Sequence, residues 1–398
     1  MREDGSVRRV SSKVRRFTES VIREMTRLAD RHGAINLAQG FPDFPAPSFI
    51  KDAAHRAIDA EFNQYAVTWG SPRFRKAIAE KYARHYGWDL DPDREITVCC
   101  GATESMISTI LALIDPGERV LVFEPFYENY GPDTVIAGAL PVFVPLDAKC
   151  GWAFERRRME STLLQASPGG GPRALILNTP NNPTGRVFSR DELECIADFA
   201  RTYDFYVITD EIYEHIVYEG HRHTPIALLP GMRERTVTIS GLSKTFSVTG
   251  WRLGYVIAPA DLTAAIRKVH DFLTVGAPAP LQEAAAAALQ IGEDYYADLA
   301  ENYRRRRDLL LEILEGAGFR TWKPFGAYYI MTDISDLTDE TDVAFVDRMI
   351  REVGVAAVPG SSFFSRPELG RHLVRFTFCK TDALLEEVGR RLEKGVSR

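Results

Sequence analysis

The sequence predicts an α/β protein: a mainly parallel, seven-stranded sheet covered by helices, with a smaller α+β domain beside it. Three observations carry that reading. Seven short apolar runs, at 96–100, 120–124, 141–146, 174–178, 205–210, 236–240 and 254–258, are continuous rather than alternating, as strands buried on both faces are. Helical patterns lie between them, which is the order of βαβ units. At 398 residues the chain is also longer than one core usually serves.

Taken in order, the run at 96–100 is followed by a helical pattern over 103–113. The pattern over 189–201 opens with Ser189 and places Glu192 three residues on, a capping box. After about residue 280 the character changes. An Ala-rich stretch (281–290) and a long charged amphipathic helix (294–315) lead into the strand-like GAYYIMTDIS, a helix over 343–353, the strand-like VRFTFCK and a final helix. The expected division is a large domain over 46–285 and a smaller one built from 286–398 with the N-terminal arm, 1–45.

Composition narrows the function classes. The net charge of −6 gives no reason to expect nucleic acid or acidic membranes as partners. No apolar run reaches the eighteen residues of a membrane span. The basic start, MREDGSVRRVSSKVRR, lacks the apolar stretch of a secretory signal and reads as an arm that is mobile or wraps a partner. Cys99, Cys100, Cys150, Cys195 and Cys379 form no CxxC pair and no disulfide framework, and no HExxH occurs, so no metal site is expected and the cytoplasm is the natural compartment.

In an open α/β sheet, ligands bind beyond the carboxyl ends of the strands, so the residues just after each strand matter most. After the first comes GATES: Gly101 allows a tight turn, and the free N–H groups of Ala102 and Thr103 open a helix that suits phosphate. By itself this is also an ordinary turn and cap. After 174–178 comes NTPNNPTG, a rigid turn in which Asn181 and Asn182 would project amides at the ligand edge. Asp210 closes the run 205–210, either as the N-cap of a following helix or as the partner of a protonated ring nitrogen, with Tyr213 reaching the same ligand. Lys244, in SGLSKTFSVTGWRLG, stands among small residues after a buried strand. Desolvation and Arg252 would lower its pKa and make it a nucleophile, whereas a snorkelling surface lysine is the plain alternative. Arg375 in VRFTFCK would present a planar fork to a carboxylate, or pair with an acid on an exposed face. Together these groups suit one anionic aromatic cofactor and a carboxylate substrate.

Those blocks carry a resemblance. SGLSKTFSVTGWRLG, NTPNNPTG, ITDEIYEH and VRFTFCK resemble the motifs of the class I, fold type I, aminotransferases, and INLAQGFPDFPAP and NQYAVTWGSPRFRKAIAEKY resemble the kynurenine/glutamine transaminase branch. The resemblance runs from about residue 35 to 380 and implies an aspartate-aminotransferase-like fold with pyridoxal 5′-phosphate as cofactor. It implies a Schiff base on Lys244, with Asp210 at the pyridinium nitrogen, and Asn182 and Tyr213 at the ring's phenolic oxygen. Ala102, Thr103, Ser243 and Arg252 would hold the phosphate, and Tyr127 would stack on the ring. Tyr65 would reach the phosphate of a neighbouring subunit in a homodimer with shared active sites. Arg375, Asn182 and the Gly40 backbone would hold the substrate's α-carboxylate. One departure leaves a question open: Gly241 stands where some members carry a phosphate-binding serine, so Ser240 or Ser243 serves instead.

The implied activity is ping-pong transfer of an amino group from an L-amino acid to a 2-oxo acid, on neutral, aromatic or sulfur-containing substrates. Phe41, Phe44, Trp69, Tyr127 and Phe363 would supply an aromatic wall, or serve as core. The alternatives are a C–S β-lyase on the same cofactor chemistry, an aspartate- or diaminopimelate-type aminotransferase, and a non-catalytic regulator, whose added DNA-binding module the residues before Phe17 could not hold. No second arginine for a distal carboxylate is identifiable from sequence.

Overall fold

A computed structural model of the protein describes residues 10–166 and 171–395, so the first nine residues of the basic arm lie outside it. The expected strands form in chain order as β2 (Ile96–Cys99), β3 (Arg119–Glu124), β4 (Leu140–Pro145), β5 (Pro172–Asn178), β6 (Tyr206–Asp210), β7 (Thr236–Gly241) and β8 (Gly254–Ile257), after a short β1 (Ile35–Asn36). They make one seven-stranded sheet in the order β2-β8-β7-β6-β5-β3-β4. Only β8 is antiparallel to its neighbours, so the carboxyl ends of the other six share one edge.

Alternate residues of each strand feed opposite faces, as the pleat requires. Val120, Val122, Ile176 and Ile208 pack with Met106 and Ile110 of α4 (Ala102–Leu113) and Ile266 of α8 (Ala260–Thr274). Leu121, Phe123, Leu175 and Val207 pack with Leu193, Ile196 and Ala200 of α7 (Arg190–Thr202). Each such side chain contributes roughly 1.5–3 kcal/mol when buried. The capping box of α7 is complete: Glu192 N donates to Ser189 Oγ (3.2 Å) and Ser189 N to Glu192 Oε2 (2.8 Å).

The C-terminal part forms a second, four-stranded antiparallel sheet. It comprises β9 (Arg320–Trp322), β10 (Tyr329–Asp333), β12 (Val358–Pro359) and β13 (Leu373–Thr377). The helix expected over 343–353 is α-helical only as α11 (Asp342–Arg348) and widens into a π-helical turn, Met349–Val353, closed by Gly354 at φ +74°. The N-terminal segment is tied in here. Its β1 pairs in parallel with β11 (Val355–Ala356), and Thr377 N donates to Leu37 O (3.0 Å), which brings residues 37–41 beside β13. Ahead of β1 runs α1 (Val21–His32), which buries Ile22, Met25 and Ala29, a helical stripe, and is capped by Ser20.

Candidate active site

The carboxyl ends of β2, β5, β6 and β7 open on one cavity of about 500 Å³. At β2 the chain turns at Gly101, with φ +87°, into the first turn of α4. A Cβ on Gly101 would stand 2.5 Å from Arg252 Nη2, so glycine is what lets the guanidinium lie against this turn. Arg252 is steadied by a bond from Nη1 to Thr249 O (3.1 Å). Ala102, Thr103, Ser243 and Arg252 all line the cavity. Free amides, helix dipole, hydroxyls and guanidinium together make a cradle for a phosphate. The two serines differ in what they face. Ser243 faces the cavity, whereas Ser240 is fully buried and donates to Glu214 Oε1 (2.7 Å). A Cβ at 241 would come within 2.7 Å of the Leu253 carbonyl oxygen, which leaves no room for a serine there.

Lys244 also lines the cavity rather than snorkelling at the surface. Its Nζ donates to Gly40 O (3.0 Å) and lies 5.6 and 5.9 Å from the ring centres of Tyr328 and Tyr213. Burial brings its pKa down to about 8, with the charges of Arg252 and Arg375 adding to the fall and Cys379 and Asp210 opposing it. Neutral amine is therefore available near physiological pH.

No helix follows Asp210, which removes the N-cap reading. Its Oδ1 accepts from Ile212 N (3.2 Å) and its Oδ2 from the Tyr130 hydroxyl (2.8 Å). Burial nonetheless pushes the carboxyl up to about 6, against those bonds and the Lys244 charge. Among the described residues this buried acid forms no ion pair, and a protonated ring nitrogen is a group that would supply one. The neighbouring acids turn elsewhere: Glu211 meets His223 (2.7 Å), and Glu214 meets Lys81 (2.5 Å) and Tyr86 (2.8 Å).

The NTPNNPTG turn separates its two asparagines. Asn182 lines the cavity, while Asn181 does not project at the ligand edge as expected. Its Oδ1 accepts from Thr184 N (3.2 Å) and Oγ1 (2.7 Å), closing the turn on itself. Asn178 holds the arrangement, accepting from Asn182 N (2.7 Å) and donating to Asp210 O (2.9 Å). Arg375 is fully buried behind this turn rather than on an exposed face. Nη1 donates to Asn182 Oδ1 (2.7 Å), Nη2 donates to Ala38 O (2.5 Å), and Tyr329 covers the guanidinium at 4.2 Å. Its Nε is buried and has no hydrogen-bond partner among the described residues. Gly40 and Tyr213 line the cavity, the Tyr213 and Tyr329 hydroxyls lie 2.9 Å apart, and a Cβ on Gly40 would fall 2.0 Å from the Tyr329 oxygen.

Of the residues singled out from sequence, Gly40, Ala102, Thr103, Tyr127, Asn182, Asp210, Tyr213, Ser243, Lys244 and Arg252 share this cavity. Arg375 touches it through Asn182 and Tyr329. Tyr65 does not join it and is 88% exposed. Sequence reasoning missed Tyr130, Asp133, Asn178, Tyr329 and Arg23, all of which line or shape the site. Tyr130 carried a signal, since it stands three residues after Tyr127 at the start of α5 (Tyr130–Ile136). Arg23 carried none.

The aminotransferase class I and II family model matches residues 32–392. The chain is 42% identical to N-succinyldiaminopimelate aminotransferase from Mycobacterium tuberculosis, with a TM-score of 0.92 over 96% of this chain and 99% of that one. It is 34% identical to YbdL from Escherichia coli, for which a methionine aminotransferase function is identified, with a TM-score of 0.91 over 97% and 99% of the two chains. Human kynurenine–oxoglutarate transaminase 1 is 36% identical, over 93% of this chain and 94% of its own.

Proposed function

This chain belongs to the class I and II aminotransferase family, and we propose that Lys244 is the residue to which its pyridoxal 5′-phosphate is joined. The enzyme is a pyridoxal-phosphate-dependent aminotransferase, moving the amino group of an amino acid to a 2-oxo acid. The observation that carries the residue assignment is that one cavity is lined by a lysine whose pKa burial lowers to about 8 and by a buried acid that, among the described residues, forms no ion pair.

In this reading Ala102, Thr103, Ser243 and Arg252 would hold the phosphate, and Tyr127 would flank the ring. Asp210, fixed by Tyr130, would keep the proton on the ring nitrogen. Because Asn182 Oδ1 is taken by Arg375, its Nδ2 is the donor that remains, and it joins the Tyr213 hydroxyl at the ring's phenolic oxygen. Arg375, Asn182 and the Gly40 backbone receive the α-carboxylate. When bound, pyridoxal phosphate supplies an aldehyde for the amine and a cationic ring that withdraws electrons from the substrate's Cα. Lys244 Nζ, held near neutrality by burial, would take the proton from the substrate's Cα. One site serves donor and acceptor in turn, so the kinetics are ping-pong.

For the donor we propose neutral, aromatic or sulfur-containing amino acids. Ile22, Phe41, Tyr127 and Tyr329 in the cavity wall support this, as do the activities named for two of the relatives. We further propose a homodimer in which Tyr65 completes the partner's phosphate site. An exposed apolar surface supports it: Phe272 is 93% exposed, and Phe62, Val67 and Trp69 flank Tyr65 at the surface. The division into a large domain over 46–285 and a small one from 1–45 and 286–398 belongs to the same proposal. So does a cytoplasmic location, supported by five free cysteines. Among the described residues no helix is long and apolar enough to cross a membrane.

Borohydride reduction of the yellow holoenzyme, followed by peptide mapping, tests the assignment. The pyridoxyl group is expected on Lys244, and its recovery on another lysine would overturn the proposal. Loss of the cofactor absorbance band with each amino acid in turn would identify the donor.

A further inference from the structure

We propose that His270 is a positioning residue for the cofactor's phosphate: by pairing with Glu104 it cancels a negative charge in the first turn of α4. The proposal rests on the reading above, in which the Gly101 turn and the start of α4 form the phosphate cradle.

A carboxylate is an odd neighbour for that cradle. Glu104 follows Thr103 directly and lies in the first turn of α4. There it suits the helix, because its charge complements the helix dipole. Its Oε2 also accepts from Cys100 N (3.0 Å), which steadies the chain just before Gly101. For a bound phosphate the same charge is harmful, since it competes for the dipole and repels the anion. Arg252 is the one cation among the four residues assigned to the cradle, and a bare Glu104 would offset it.

His270, on α8, removes the conflict. Its Nδ1 lies 3.1 Å from both Glu104 oxygens, and its Nε2 lies 2.8 Å from the Thr68 carbonyl oxygen. A carboxylate and a carbonyl only accept, so both ring nitrogens carry protons and the ring is an imidazolium. Burial opposes charge on both partners, yet the pair holds. The Glu104 bond and charge raise the His270 pKa, and the His270 bond and charge lower that of Glu104. The Cys99 thiol beside them is raised by burial and stays neutral. His270 is fully buried and Glu104 nearly so, so salt and water screen the pair little. The Ser108 hydroxyl donates to the same carboxylate and fixes its direction. Thr68 belongs to the loop that carries Tyr65 and Trp69, and Val98 N donates to Trp69 O (3.1 Å). The one ring therefore neutralises the cradle from behind and holds that loop against β2.

The test titrates the full-length, cofactor-free enzyme with pyridoxal 5′-phosphate and with pyridoxal, which lacks the phosphate, and reads both dissociation constants from absorbance. In His270→Gln the Glu104 charge is left bare. Affinity for pyridoxal phosphate should fall about 10- to 100-fold, while affinity for pyridoxal changes far less. The double variant Glu104→Gln/His270→Gln removes both charges and should recover most of the loss. Glu104→Gln alone should not weaken binding of the phosphorylated ligand. A merely structural role for His270 gives equal losses for both ligands and no recovery in the double variant, and either result would overturn the proposal. Should His270→Gln fail to fold, the other two variants decide: a preference for the phosphorylated ligand at or above the parent's supports the role, and a weaker one overturns it. A parent that binds both ligands equally would overturn the cradle itself, whereas an unchanged preference in His270→Gln overturns only the part given to His270.

Discussion

The Tyr130 hydroxyl donates to Asp210 Oδ2 across 2.8 Å, joining the first turn of α5 to the end of β6. Burial raises the pKa of Tyr130 well above its ordinary value, so it remains a neutral donor at any working pH. Its bond is the largest influence holding the Asp210 carboxyl down against burial. In Tyr130→Phe the carboxyl pKa rises further, and the acid is neutral at higher pH. The acid limb of the pH profile of kcat/KM should therefore move to higher pH, and activity at the optimum should fall by about 10- to 100-fold, the worth of a hydrogen bond to a charged group. An unmoved acid limb would show that Tyr130 does not act on Asp210.

Asp210→Asn keeps the shape and removes the charge. It should lower kcat by about a hundredfold or more, because an amide cannot hold the ring nitrogen protonated. Single-turnover kinetics with a good donor checks this, since it isolates the chemical step from product release.

Lys244→Ala should reduce turnover by about ten-thousandfold and leave no borohydride-fixed cofactor on the protein. In the parent protein, the rate of joining cofactor to cofactor-free enzyme should rise with pH and reach half its maximum near pH 8, where Lys244 loses its proton. A half-maximum near pH 10.5, the value of an ordinary lysine, would rule out the desolvated amine.

Asp133, on α5, is buried against the cavity with Oδ2 unpartnered, and burial lifts its carboxyl from 3.8 to about 7. The folded protein therefore holds a proton there that the unfolded chain releases, so stability falls as pH rises between about 4 and 7. Asp133→Asn should flatten that part of the curve and gain roughly 1–3 kcal/mol relative to the parent at pH 8. Urea denaturation of both proteins at pH 4.5 and pH 8 measures the difference, and parallel curves would refute the buried proton.

Arg375→Lys should raise KM about 10- to 100-fold for every amino acid alike, since a lysine cannot span Asn182 and Ala38 with a planar fork. Uniformity across substrates is the check, because every amino acid presents the same α-carboxylate.

Much of this molecule is legible in the order of its amino acids. The seven strands follow from continuous apolar runs, and their observed limits lie within two residues of the expected ones, because burial on both faces is a local property of each segment. Lys244, Asp210 and the Gly101 turn, which meet at the cavity, can be singled out because each lies in an unbroken stretch at a strand end. The resemblance to aminotransferases rests on those same stretches.

What the chain order does not contain is which way a side chain points within a turn and what meets it from afar. Asn181 and Asn182 are adjacent amides, yet one closes its own turn and the other faces Arg375, 193 residues along the chain. Ser240 and Ser243 divide in the same way, because Glu214 captures the first. Lys244 rests on Gly40, 204 residues away, and Arg23 reaches the cavity only because β1 and α1 are tied to the C-terminal sheet. Strand and helix formation depend on neighbours a few residues apart, so sequence determined them. Side-chain direction and the pKa values of the cavity depend on partners brought together only by packing, and there the tertiary structure alone decided.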